Sequence, residues 1–133
     1  MATDGLVTLR SANDFKTTLD RLLQVLKAKG VTVFAQIDHA AGAAGAGLAL
    51  RPTMLVLFGN PAAGTHLMQT AQTASIDLPL KALIWQGADD AINLSYNDPA
   101  WIAQRHKLAP PLPPQVASMT VALQAFAAQA TSA

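Results

Sequence analysis

Residues 15–38 change their hydrophobic period once, from about 3.6 to 2, and this restricts the chain to folds in which a helix lies on a sheet. Phe15, Leu19, Leu22, Leu23 and Leu26 fall on one helical face, with Lys16, Asp20, Arg21, Gln24 and Lys27 on the other. Ser11, with Asp14 three residues on, predicts the helix start as a capping-box-like pair. Gly30 predicts its end. Directly after it Val31, Val33, Ala35 and Ile37 alternate with Thr32, Phe34, Gln36 and Asp38, the pattern of a half-buried strand. Each element has one apolar face to bury, and each can bury it against the other.

The rest of the chain extends the same scheme. Leu6 to Arg10 is β-compatible, and Thr53 to Phe58 is continuously apolar and reads as a central strand. Between them the Ala/Gly run from Ala40 to Gly47 has neither period and reads as a flexible loop, small enough to let a backbone or ligand approach. Asn60-Pro61 caps and starts a helix whose inner face is Leu67, Met68 and Ala71. Lys81–Gln86 and Ala91–Tyr96 form a hairpin closed by Gly87 to Asp90. Asp98-Pro99 starts a helix with Trp101, Ile102 and Arg105. The expected order is β-α-β-β-α-β-β-α-α: an α+β fold in two layers, a largely antiparallel sheet with helices packed on one face. Residues 1–108 form the domain, the proline-rich stretch 109–114 is a stiff connector, and 115–133 is an amphipathic helix. Val116, Met119, Leu123, Phe126 and Ala130 make its stripe, which packs on the domain or on a partner chain.

Composition excludes several functions. There is no cysteine among the 133 residues, so disulfides, thiolate metal sites and cysteine nucleophiles are ruled out together. Nine basic and eight acidic residues give a net charge of +1, and no basic run occurs, which argues against nucleic acid as a partner. No apolar stretch is long enough for a membrane span, and Met1 to Arg10 has no leader-like pattern, so the expectation is a cytoplasmic protein without a membrane partner. Only 13% of residues are charged, against about 25% in typical domains. A surface so poor in charge favours a homodimer.

The chemistry-bearing residues are few. Gly59-Asn60-Pro61-Ala62-Ala63-Gly64-Thr65 is a strand-to-helix turn where free amides could meet an anion, although Thr65 stands where a phosphate loop needs lysine. Asp77 and Lys81 lie among apolar neighbours and would be about 13 Å apart on an extended strand, unless Pro79 folds the segment. Asn97 and Asp98 beside Tyr96 cap the following helix, and Trp85 and Trp101 suit packing or a pocket wall. His39, His66 and His106 have no metal-ligand spacing, so neither metal nor cofactor is expected. No Gly-x-Ser-x-Gly elbow occurs.

Arg51-Pro52-Thr53, Phe58-Gly59-Asn60-Pro61, Gly64-Thr65, Leu67-Met68, Asp77 to Lys81, Ser95 to Pro99 and Arg105-His106 stand in an order and spacing that resemble the domain-of-unknown-function 302 family. Ile37-Asp38-His39 and Gly47-Leu48 extend the likeness upstream, so that it spans roughly residues 5–108. His66 departs from it, standing where that family is expected to have proline. The resemblance implies a compact α/β domain, often dimeric, and assigns no catalytic residue. The resulting expectation is a dimeric binding module for a small polar or anionic ligand, with Asn60, Gly64, Thr65, Asp77, Lys81, Tyr96 and Arg105 as its binding residues. The alternatives are a self-association domain and an enzyme using Asp77, Lys81 and Tyr96 as acid-base groups.

Overall fold

Five strands form one antiparallel sheet in the computed structural model, which describes residues 4–133. The first three residues of the expected domain lie outside them. The elements are β1 (Leu6–Arg10), α1 (Phe15–Ala28), β2 (Thr32–Asp38), α2 (His39–Gly45), β3 (Thr53–Gly59) and α3 (Pro61–Thr70). A 3₁₀ helix, Gln72–Ile76, leads to β4 (Leu80–Gln86), β5 (Ile92–Asn97), α4 (Pro99–Arg105) and α5 (Pro114–Thr131). Across the sheet the order is β1-β5-β4-β3-β2, so α1 joins the two edge strands. The fold is the expected α+β architecture.

The core lies between the sheet and the pair α1–α5. Leu22 and Leu26 of α1 and Leu123, Phe126, Ala127 and Ala130 of α5 cover Val56, Phe58, Ile84 and Leu94. Phe58 and Phe126 meet edge-on, with ring centroids 6.2 Å apart. Residues 115–133 therefore belong to the same packed unit as the rest of the chain. The stripe read from sequence is the buried face of α5.

Three local expectations are corrected. Helix α1 starts at Phe15, not after Ser11: Asp14 is the N-cap and accepts from the Thr17 amide at 2.7 Å. Ser11 is occupied otherwise, its hydroxyl 2.6 Å from that of the buried Thr18. The Ala/Gly run is a helix, α2, capped by Asp38 and ended where Gly47 takes φ +77°. None of its residues is buried. Alanine's helix propensity forms it, and with no face to bury it leaves no stripe in the sequence. In β2, Phe34 is an extra residue: Val33 pairs with Phe58, but Ala35 pairs with Leu57. This bulge turns the strand over, so Ala35 and Ile37 do not share a face with Val33 and stand instead beside Leu57 and Leu55.

The face of the sheet away from α1 and α5 is apolar too. Leu55, Leu57, Leu83 and Trp85 are half-buried there, and Phe34 and Ile37 on the β2 edge are 49% and 41% exposed. Leu48 and Leu50, between α2 and β3, are also exposed.

Candidate functional site

Where β3 passes into α3, the end of the sheet and the two helices α3 and α5 enclose a cavity of about 670 Å³. That is the size of a small-molecule site. Its inner wall is Phe58, Leu80 and Phe126, and its flanks are Met68 and Leu78 on one side and Met119 and Ala122 on the other. Phe34, displaced by the bulge, also lines it with half its surface open to solvent. Gly64 gives it room: a methyl group at that position would meet Met68 and Leu78 at 3.8 and 3.9 Å.

Three residues singled out from the sequence, Asn60, Gly64 and Thr65, line this cavity, and their polar atoms are partly engaged already. Asn60 Oδ1 accepts from the Ala62 amide at 2.9 Å, and Thr65 Oγ1 donates to the Pro61 carbonyl at 2.7 Å. Both belong to the first turn of α3, where Pro61 supplies no donor. No charged side chain lines the cavity among the described residues.

Asp77, Lys81 and Arg105 gather elsewhere, in a polar clasp behind the cavity wall. Both Asp77 carboxylate oxygens accept from Arg105 NH1, at 2.7 and 2.8 Å, and Oδ2 also pairs with His106 Nε2. His106 Nδ1 lies 2.9 Å from the Thr73 hydroxyl. A carboxylate only accepts, so Nε2 holds a hydrogen, and in the neutral ring Nδ1 accepts from Thr73. The chain folds back at Leu78-Pro79, which lets Lys81 Nζ donate to the Asp77 carbonyl at 3.2 Å. Burial pushes the Lys81 ammonium below its ordinary pKa, and Asp77 opposes that shift. Arg105 also lies over the Trp101 ring, 5.7 Å from its centroid. The clasp ties α4 and the 3₁₀ helix to residues 77–81, and so fixes Leu78 and Leu80 as one wall of the cavity.

Hydroxyl, imidazole and carboxylate stand here in the order used by nucleophilic hydrolases. Two features separate the clasp from such a site. Arg105 holds the carboxylate from a second side, and Thr73, His106 and Asp77 line neither this cavity nor the one beside Tyr96.

Tyr96 is remote from this group. It points to the helix side of the sheet, paired with Ala82 and Val7, whereas Lys81 pairs with Leu57 and points to the other side. Tyr96 lines a second cavity of about 590 Å³ with Leu6, Asp98 and Gln124, and burial raises its phenol pKa. Asp77, Lys81 and Tyr96 thus do not form one acid-base group. His39 and His66 are exposed, at the start of α2 and on the outer side of α3. Among the described residues no three His, Cys, Asp or Glu side chains gather closely enough to hold a metal ion. Trp85 donates to Ser95 Oγ at 2.9 Å, and Trp101 packs over Gly5.

The cavity residues that the sequence did not mark as such include Gln115, Ser118, Met119 and Ala122 of α5 and Phe34 of β2. Met119 is visible as part of a stripe, but that stripe says only that it is inside. Gln115 and Ser118 sit beside it without any motif of their own.

The chain matches the family described as "Domain of unknown function DUF302" over residues 7–127. It belongs to the DUF302 family. A crystal structure of an uncharacterised conserved DUF302 protein from Bacillus stearothermophilus superposes with a TM-score of 0.84 at 19% identity, covering 97% of this chain and 99% of that one. It shows the shared fold. Two curated relatives are named fluoride-specific ion channel FluC 1. Those from Brucella suis and Brucella abortus are each 48% identical to this DUF302 chain over 104 residues, 78% of its length. The matched stretch makes up 41% and 38% of those two proteins, so the chain spans about two fifths of their length. No helix among the described residues is long and apolar enough to cross a membrane.

Proposed function

We propose that this DUF302 domain binds a small molecule in the cavity between α3, α5 and the end of β3, and that it does so as a homodimer. The observation behind the binding reading is the cavity itself: about 670 Å³, half-open, and walled by side chains from five separate elements. Its apolar lining favours an apolar ligand over the polar or anionic one expected from the sequence. The polar residues that suggested an anion are spent on helix caps and on the clasp. The dimer reading rests on the half-buried Leu55, Leu57 and Leu83 with the exposed Phe34, Ile37, Leu48 and Leu50, an apolar area that a second chain would cover.

A thermal-shift screen of apolar, carboxylate and phosphate compounds tests the first part. A ligand present at about 100 times its Kd stabilises by roughly 2.7 kcal/mol, a shift of several degrees. Hits confined to carboxylates and phosphates would refute an apolar ligand, and no hit in any class would refute the binding role. Sedimentation of the wild type and Leu57→Glu tests the second: a dimer that the substitution converts to monomer is expected, and a wild-type monomer at all concentrations refutes it.

The curated relatives favour a second reading, in which the domain is an accessory to a fluoride channel. Among the described residues no helix has the roughly 20 apolar residues that a membrane helix needs, which supports a reading in which the channel part of those proteins lies outside the two fifths they share with this chain. Co-purification of this chain with a FluC channel subunit expressed beside it is the test, and failure to associate in detergent removes the reading.

A further inference from the structure

The cavity's lining narrows the ligand further, and the argument rests on the binding role proposed above. Four side chains in the wall can form hydrogen bonds: Asn60, Thr65, Gln115 and Ser118. All four are uncharged. Three already bond to their own helices, Asn60 to the Ala62 amide, Thr65 to the Pro61 carbonyl and Ser118 to the Pro114 carbonyl at 3.2 Å. Among the described residues the Gln115 amide makes no hydrogen bond within the chain, although it is half-buried in the wall. Two charges flank the wall in sequence and neither lines the cavity: Asp77, before Leu78, is taken up by Arg105 and His106, and Lys81, after Leu80, donates to the Asp77 carbonyl.

An ionised ligand would enter this space without a counter-charge and would lose its hydration, which is costly. An entirely apolar one would leave the half-buried Gln115 amide without a partner in the wall. We propose that the cavity takes an uncharged, mainly apolar molecule with one hydrogen-bonding group, such as an alcohol, ketone or amide, and that Gln115 reads that group. Its amide both donates and accepts, so it suits either polarity.

The test uses the full chain with the uncharged fluorophore N-phenyl-1-naphthylamine, displaced in turn by 1-decanol and by decanoate at pH 7.5. Decanol is expected to displace the probe at more than about tenfold lower concentration than decanoate, because only the latter must bury a charge. Gln115→Met is expected to weaken decanol about three- to tenfold, the worth of one hydrogen bond, after correction for the probe affinity measured directly on that variant. Ala122→Phe, or Gly64→Leu should that variant not fold, is expected to abolish probe binding by filling the cavity. Decanoate binding as well as decanol, or decanol indifferent to Gln115→Met, overturns the ligand class and leaves the binding role standing. A probe that does not bind, or that binds the filled variants as well as wild type, overturns both.

Discussion

Replacing Asp77 by alanine should destabilise the fold by about 2–3 kcal/mol, and the structure says where that comes from. His106 is 6% exposed, and its Nε2–H has Asp77 as partner. Removing the carboxylate leaves that donor unpaired at a nearly fully buried site, so the cost falls at about 2–3 kcal/mol, the upper part of the range for such groups. The Arg105 contact adds little, because Arg105 is 47% exposed and can turn to water. At about 2.1 cal/mol/K per residue over 133 residues, each kcal/mol moves Tm by about 3.5 °C. The expected fall is therefore about 7–11 °C by calorimetry. Asp77→Asn keeps an acceptor for His106 and should lose about 1 kcal/mol, and Arg105→Ala less than that. A variant Asp77→Ala within about 0.5 kcal/mol of wild type would refute the view that the clasp holds the 77–81 segment in place.

Three other substitutions probe separate parts of the fold. Gly5→Ala should be severely destabilising, by about 3 kcal/mol or more in urea unfolding, since Gly5 has φ +80° and a Cβ there would lie 2.2 Å from Trp101 Cγ. Gly64→Ala should instead raise stability by about 0.5–1 kcal/mol, because Gly64 is inside α3 and the new methyl meets its neighbours at ordinary contact distance. Alkaline unfolding should separate Lys81 from Tyr96. With the Lys81 pKa lowered in the fold, the unfolded chain holds the extra proton between that value and the ordinary 10.5, so Lys81 makes stability rise with pH there. Tyr96, raised from 10.0, keeps its proton longer in the fold, so its contribution is full below pH 10.0 and is lost above. Lys81→Met should therefore make stability fall more steeply with rising pH near 10.

The candidate site was half legible. Asn60-Pro61 marks the turn at the cavity because capping is local: the donor, the acceptor and the proline lie within three residues. The same locality leaves its chemistry open. A cap and an anion site use the same residue types, and only the three-dimensional surroundings distinguish them. Asp77 and Lys81 stand out in the sequence as charges among apolar neighbours, and Arg105 only as a residue of the helix that Pro99 starts. Their partner His106 follows Arg105 directly, but nothing in its spacing from Asp77 shows that α4 brings it back across 29 positions.

The sequence by itself determined the elements whose causes are short-range: the α1 stripe and its glycine stop, the 81–96 hairpin, the proline-started helices and the two-layer α+β class that these impose. It also excluded every chemistry that needs cysteine. Only the tertiary structure decided the rest. The bulge at Phe34 depends on pairing with β3, α2 forms without burying a face, and α5 lays Gln115 and Met119 against a cavity whose opposite walls come from β3, α3 and Leu78–Leu80. A cavity is a relation among distant segments, set by how helices sit on a sheet, and the one-dimensional pattern of any single segment records only that it is inside.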